Sequence, residues 1–244
     1  MALPKMNIIK HSLILPSNGK KYTFRPFLVK EEKILMMALE SGDPKDMIRS
    51  LRDIISSCID GEIKVDTLPM FDIEYIFLQL RSRSVGEKAP ITYSLENDSC
   101  KKLKGANCSY TVEVDLNEVE VEKNKDHKEL IELTKDIKIK MRYPKIEAST
   151  EIAGLEGEKL IDKTFEMIGD CMEYIMEEEE IHQTSDYSQK EVDEFLNSLS
   201  SIQFREIQKF FDTMPKLRKE VTGKCSECGK ENKRVLEGLG DFFV

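Results

Sequence analysis

The chain has 244 residues, a formal net charge of −9 and a charged fraction of 34%. Phosphate binding relies on clustered Lys and Arg side chains, so this acidic composition argues against a general nucleic-acid-binding protein. Six cysteines in a chain of this length are too few for a secreted scaffold held together by disulfides. Lys10 and His11 interrupt the apolar segment near the start, and no apolar run reaches the roughly 20 residues of a membrane-spanning helix. We therefore expect a soluble protein that is made in a reducing compartment and has no membrane partner.

The N-terminal part predicts a β-hairpin followed by helices. Residues 6–28 place apolar side chains on either side of Asn18-Gly19, a dipeptide that supplies the positive φ of a tight turn. Three stretches with helical spacing follow, at 29–40, 43–58 and 70–83. Asp43 can cap the second stretch with Pro44 at its first helical position, and Cys58 lies on its apolar stripe as a core thiol. The third stretch is apolar nearly all round, which predicts a central place in the core.

The apolar period changes to two in the middle of the chain. Alternation predicts strands at 91–95, 110–116 and 131–143. The first two strands flank a polar loop that carries Cys100 and Cys108, so we expect an antiparallel pair with these cysteines at its tip. The segment 117–129 is charged and lacks apolar periodicity, which predicts an exposed loop.

The part from residue 151 onward predicts mostly helix. A predicted helix begins at Glu158, and its apolar stripe runs from Leu160 to Met176 and includes Cys171, which we interpret as another core thiol. We expect the run Glu177 to Glu180 to be a solvated helix end and 181–187 to be a linker. Two motifs, Ser188 to Glu191 and Ser200 to Gln203, have the form of capping boxes and each predicts the start of a short helix. The basic run 216–219 is typical of a solvated helix end.

Four cysteines have the spacing of a metal site. Cys225 and Cys228 form a Cys-x-x-Cys-Gly knuckle, whose two sulfurs can reach one ion, and Cys100 and Cys108 can complete a tetrahedral set. The sequence therefore predicts a structural zinc clasp that joins the middle of the chain to its C-terminal part. Two alternatives remain: an iron–sulfur cluster on the same four sulfurs, and a redox-active Cys225–Cys228 pair.

The sequence contains no recognisable catalytic motif. The stretch Gly154 to Gly157 lacks the Lys-Ser/Thr of a phosphate-binding loop, and there is no G-x-S-x-G elbow. His11, His127 and His182 are far apart in the sequence, and we interpret all three as exposed bystanders. We predict no catalytic residues and no enzymatic activity.

The C-terminal residues Phe242, Phe243 and Val244 are strongly apolar. They either dock in the core of the protein or insert into a partner, so they are candidate partner-binding residues. The predicted fold is α+β, with an N-terminal hairpin and helices, a central antiparallel region bearing the zinc clasp, and a C-terminal helical bundle. The predicted domains are an α+β unit at 1–150, a helical unit at 151–220, and a zinc-knuckle tail at 221–244 that docks back on the loop of Cys100 and Cys108.

Several stretches occur together in an order and spacing shared with a known family. They are FDIEYIFLQLRSRSVG at 71–86, the cysteine pair between strands, MRYP at 141–144, and the ending from Cys225-x-x-Cys228-Gly229 to Phe242-Phe243. The chain thus resembles the T-even-type phage baseplate hub proteins, a hub subunit and a related hub-assembly protein. The resemblance covers most of residues 6–244.

The resemblance implies a non-enzymatic role in building the central hub of a contractile-tail baseplate. It implies contacts with other baseplate hub proteins, as a homo- or hetero-oligomer, in the cytoplasm of the infected bacterium. It leaves open whether the protein stays in the virion baseplate or leaves as an assembly chaperone. The rival interpretation is a zinc-ribbon regulator that binds nucleic acid, because basic residues cluster around the two cysteine pairs: Lys101, Lys102, Lys104, Lys224, Lys230, Lys233 and Arg234.

Overall fold

The computed structural model describes residues 7–95, 100 and 107–242. Its helices are α1 (Val29–Ser41), α2 (Pro44–Cys58), α3 (Met70–Ser84), α4 (Ile146–Ile152), α5 (Gly157–Asp170), α6 (Gln189–Ser198) and α7 (Ser201–Thr213). Its strands are β1 (His11–Ile14), β2 (Lys21–Phe24), β3 (Ile59–Asp60), β4 (Lys88–Leu95), β5 (Cys108–Asp115), β6 (Glu120–Glu122), β7 (Leu130–Glu132), β8 (Ile137–Met141), β9 (Met172–Glu177), β10 (Glu180–Gln183), β11 (Lys216–Lys224) and β12 (Glu231–Glu237). Helices and antiparallel sheets are both present, which confirms the α+β class.

The strands form four antiparallel sheets within the described part of the chain. Their strand orders are β1-β2-β3, β4-β5, β10-β9-β8-β7 and β12-β11-β6. None of the described helices is long and apolar enough to cross a membrane.

The N-terminal elements follow the sequence pattern closely. Strands β1 and β2 pair as a hairpin, with His11 opposite Phe24, and Gly19 has φ +70° in the connecting turn. The Asp43 side chain accepts a hydrogen bond of 2.8 Å from the Lys45 amide and caps α2 as predicted. Helices α1 to α3 begin and end within two residues of the predicted stretches. Their apolar faces and the hairpin share a first core, in which Cys58 is buried.

A second core joins the middle of the chain to its C-terminal part. Strands β4 and β5 pair antiparallel, as predicted, with Leu95 opposite Cys108. We call this pair the cysteine hairpin. Strands β11 and β12 form a second pair, which we call the C-terminal hairpin, and β6 extends it on the β11 side. Side chains from both hairpins and from α3 are buried together.

Sequence reasoning missed the C-terminal hairpin and β6. Residues 216–219 begin β11 and are not a helix end. The segment 117–129, predicted as an exposed loop, contains a short 3₁₀ turn and the paired strand β6. Short edge strands with charged outward side chains resemble loops in a single sequence, since their pairing depends on a partner far along the chain.

A third core lies between the four-stranded sheet and helices α5 to α7. The predicted helix from 158 to 176 is wrong in its second half, because α5 ends at Asp170 and β9 begins at Met172. In β9, Ile175 pairs with Ile139 of β8, so cross-strand packing overrides the helical spacing. Cys171 is buried at the junction, as predicted.

The segment after β9 also differs from the predicted structure. The run from Glu177 to Glu180 is a turn between β9 and β10, in which Glu178 has φ +53°. The predicted linker 181–187 contains the rest of β10 and a 3₁₀ turn. The C-terminal helical bundle is therefore a set of helices that packs on a sheet. Both capping boxes are confirmed, since Glu191 and Gln203 accept hydrogen bonds from the amides of Ser188 and Ser200 at 2.8 Å. The three predicted domain ranges stay a prediction.

Candidate metal centre

The four predicted metal ligands lie together in the folded chain. The sulfur atoms of Cys100, Cys108, Cys225 and Cys228 all lie within 4.8 Å of one another. The first three side chains are buried and that of Cys228 is half-buried. We call this group the four-cysteine clasp. It links the loop of the cysteine hairpin to the turn of the C-terminal hairpin.

The distances between sulfurs suit a single tetrahedral ion. A Zn–S bond of about 2.3 Å implies a tetrahedral edge of about 3.8 Å between sulfurs. The Cys100–Cys225 and Cys108–Cys228 sulfur separations are 3.6 and 3.5 Å, close to that edge. The Cys100–Cys108 separation is shorter, at 2.8 Å, yet it is well above the roughly 2.05 Å of a disulfide bond. The four cysteines are not disulfide-bonded and supply enough sulfur donors for one ion.

Local backbone geometry forms the knuckle. Strand β11 ends just before Cys225, whose carbonyl accepts a hydrogen bond of 2.9 Å from the Gly229 amide. Gly229 has φ +69°, a conformation that a side chain would disfavour. The Cys225 amide in turn donates to the Lys230 carbonyl at 2.9 Å, which closes the turn into β12. The glycine after the second cysteine is therefore needed for the turn itself.

Backbone amides in the knuckle also favour the thiolate form of Cys225. The amides of Cys228 and Glu227 donate to the Cys225 sulfur and lower the pKa of Cys225 to about 6. In contrast, the contact with Cys108 raises the pKa of Cys100, and burial raises the pKa of Cys108. A cation would stabilise a thiolate at Cys225, because a metal ion binds the deprotonated form of cysteine.

The two hairpins approach each other closely beside the clasp. Tyr93 and Tyr110 stack across the cysteine hairpin with ring centres 5.2 Å apart. Gly223 of β11 packs on this pair, and a Cβ at Gly223 would lie 2.9 Å from the Tyr93 hydroxyl and 3.0 Å from the Tyr110 Cβ. Sequence reasoning missed Gly223, although a glycine inside a strand pattern often marks such a close approach.

The C-terminal segment packs against the same core. Phe242 has 2% of its surface exposed and lies among the buried side chains of both hairpins. The Leu239 amide donates to Glu74 of α3 at 3.0 Å, and Asp241 pairs with Arg234 at 3.1 Å. In this conformation Phe242 is packed inside the molecule rather than presented to a partner. Phe243 and Val244 lie outside the described residues, so partner contact through these two stays a prediction.

Part of the basic cluster around the clasp is engaged within the chain. Lys233 pairs with Glu220 at 3.0 Å, and Arg234 pairs with Asp241 while lying over the Tyr93 ring. Lys224 and Lys230 are exposed, whereas 101, 102 and 104 fall outside the described residues.

The three histidines are half-buried, so the prediction that they are exposed is wrong. His127 is the most engaged, because its ring nitrogens lie 3.0 Å from the Thr213 and Tyr143 hydroxyls and its ring packs 5.0 Å from that of Phe210. Burial lowers the pKa of His127. His127 thus ties the segment before β7 to α7, and its sequence neighbourhood of charged residues gave no sign of this.

Comparisons with known proteins agree with the resemblance found in the sequence. The family described as "T4 bacteriophage base plate protein" matches residues 6–244. The chain belongs to the T4 bacteriophage baseplate protein family. It is also 27% identical over 219 residues to the "Baseplate hub assembly protein gp26" of Enterobacteria phage T4, a match that spans 90% of each chain. No solved structure matches the chain. The predicted family is therefore confirmed, and with it the assignment to a phage baseplate.

Proposed function

We propose that the protein is a non-enzymatic assembly protein for the central hub of a contractile-tail baseplate. The observation that carries this proposal is the match to a hub assembly protein over 90% of both chains. Its partners are other baseplate hub proteins, which it meets in the cytoplasm of the infected bacterium. It acts through protein–protein contacts made by surfaces that the three cores hold in place.

We also propose that the four-cysteine clasp binds one structural zinc ion. Four sulfurs within 4.8 Å have room for one ion but not for the several irons and sulfides of a cluster. A bound zinc would crosslink the cysteine hairpin and the C-terminal hairpin. Because all four coordination positions would be filled by cysteine, the site has no open position for a reacting ligand.

Three experiments test these proposals. Co-expression with the hub proteins of the same phage, followed by affinity purification, should recover a complex; failure to bind any of them would contradict the assembly role. Mass spectrometry of purified virions then distinguishes a subunit, which stays, from a chaperone, which is absent. Elemental analysis of protein purified without a metal-binding tag should give one zinc per chain. A metal-free protein, or a protein with iron and inorganic sulfide, would refute the zinc clasp.

The rival interpretation, a regulator that binds nucleic acid, is tested by a gel shift at several salt concentrations. Binding that weakens steeply with salt would support the regulator, since it would report phosphate contacts. We expect no such shift, because Lys233 and Arg234 are engaged in ion pairs within the chain.

A further inference from the structure

Helix α1 covers the first core with one face and leaves large apolar side chains in solvent on the other. Glu31 and Ala38 point inward and are buried. On the opposite side Val29, Met36 and Met37 are 80%, 64% and 64% exposed. Together with Lys33 and Glu40 they form what we call the outer face of α1. A surface helix normally carries polar residues on its solvent side, so the apolar side chains on the outer face of α1 indicate a contact with a partner.

The charges of the outer face are arranged symmetrically about its centre. Lys33 lies three residues before Met36, and Glu40 lies three residues after Met37. Across the described part of the chain, neither Lys33 nor Glu40 forms an ion pair within the molecule. If a second α1 lies antiparallel with a two-fold axis between Met36 and Met37, each Lys33 lies at the height of the other copy's Glu40. The two methionine pairs then meet at the centre.

We propose that α1 is a homodimer contact in which two copies of the chain pack their outer faces antiparallel. The contact would bury Met36 and Met37 of both copies and form two symmetric ion pairs between Lys33 and Glu40. A two-fold interface brings the same patch of both subunits together, which requires the patch to be complementary to itself. The outer face of α1 meets this requirement.

The balance of charge along α1 makes this helix a favourable place for a second copy of the chain to bind. The chain has a net charge of −9, so two copies repel each other over most of their surfaces. The exposed charges along α1 balance, because Lys30 and Lys33 offset Glu32 and Glu40. Methionine side chains also adapt to one another more readily than branched ones do. A single helix pair is smaller than a standard interface, so the dimer should be weak and should dissociate on dilution.

Charge reversal gives a sharp test, read by sedimentation equilibrium over a range of concentrations. Lys33→Glu alone places like charges opposite each other twice per dimer and should weaken dimerisation about tenfold or more, as should Glu40→Lys alone. The double variant Lys33→Glu/Glu40→Lys restores two opposite-charge pairs and should dimerise about as well as the unmodified chain. The matched control is Lys190→Glu, the same charge change on the exposed face of α6, which should leave dimerisation unchanged.

Three results would each overturn the proposal for a different reason. A chain that stays monomeric up to about 1 mM has no such contact. A dimer that the single variants do not weaken uses another surface. A double variant as weak as the singles shows that Lys33 and Glu40 do not face each other across the two-fold axis. The substituted side chains are exposed, so unchanged circular dichroism is expected for every variant.

Discussion

Replacing Gly223 with alanine should loosen the contact between the two hairpins that carry the four cysteines. The added Cβ would lie 2.9 Å from the Tyr93 hydroxyl, 3.0 Å from the Tyr110 Cβ and 3.2 Å from the Tyr110 Cδ1. The Tyr93 hydroxyl is the far end of a side chain and can move. The Tyr110 Cβ is attached to the backbone of β5, so relief there requires the two hairpins to separate by a few tenths of an ångström.

The size of the effect follows from two opposing contributions. Overpacking in a well-packed core costs about 1–3 kcal/mol. Alanine also lowers the conformational entropy of the unfolded chain relative to glycine, which stabilises the folded protein by about 0.4–1 kcal/mol. The expected net loss in the free energy of unfolding is about 1–2 kcal/mol. For a chain of this size that corresponds to a fall in Tm of about 2–8 °C.

Thermal unfolding followed by circular dichroism measures this difference. The matched control is Gly240→Ala, where the added Cβ would meet no atom within 4 Å. Gly240→Ala should change the Tm little or raise it slightly. If Gly223→Ala proves as stable as Gly240→Ala, the hairpins are not in the close contact described, and the reasoning about the second core fails.

Three further predictions concern the clasp, the C-terminal segment and the first core. Cys100→Ser and Cys225→Ser should lower the Tm of the zinc-bound protein by similar amounts, since each opens the same closed site; clearly unequal losses would point to separate roles. Phe242→Ala should destabilise the protein by about 3–5 kcal/mol in urea unfolding, because it empties a fully buried aromatic site; an unchanged midpoint would show that the segment does not dock. Burial alone would raise the pKa of Glu31, but the hydrogen bonds from Arg25 at 2.8 Å, from the Leu28 amide and from Lys30 together outweigh burial and hold that pKa at about 2. Because the folded-state pKa is depressed from 4.5, Glu31 contributes about 3 kcal/mol of stability above pH ~4.5, and this is lost as the pH falls towards 2. The stability gap between the native chain and Glu31→Gln should therefore close over this range in urea titrations, and a constant gap would contradict the assignment.

Local signals allowed the N-terminal half of the fold to be predicted. Asn18-Gly19 indicated the first turn, Asp43-Pro44 indicated the start of α2, and apolar alternation indicated the cysteine hairpin. Each of these signals acts over a few residues and does not depend on the rest of the chain. The meeting of the four cysteines was also predicted, because their number and spacing left few ways to complete a tetrahedral set.

The errors arose where distant pairing decides the structure. The stretch 172–177 carries apolar residues that suit a helix or a strand, and β8 decides between them by pairing with it. Strand β11 exposes several charged side chains, and it is held by β6 and β12. Periodicity in one segment contains no information about such partners.

Buried polar groups were missed for the same reason. Asp72 is fully buried within α3 and accepts hydrogen bonds from the backbone and hydroxyl of Ser17 in the first turn. Glu74, two residues later, accepts a hydrogen bond from the amide of Leu239, which lies 165 residues away in the sequence. In the sequence both carboxylates are merely polar positions in an apolar helix. The structural role of each carboxylate becomes clear only when the residues that pack against each face of α3 are known.

The packing of α3 on two cores indicates which parts of the molecule depend on the clasp. Leu78 of α3 lies in the core of the two hairpins, while Ile73 and Phe77 lie in the N-terminal core. Small zinc domains unfold without metal because the ion replaces a core. Here each hairpin already packs on an apolar core, so the ion would fix the relative position of the hairpins rather than create the fold. Loss of metal should therefore loosen the C-terminal hairpin and the segment that ends at Phe242, and leave the N-terminal helices folded. The proposed dimer contact at the outer face of α1 should therefore be independent of the metal.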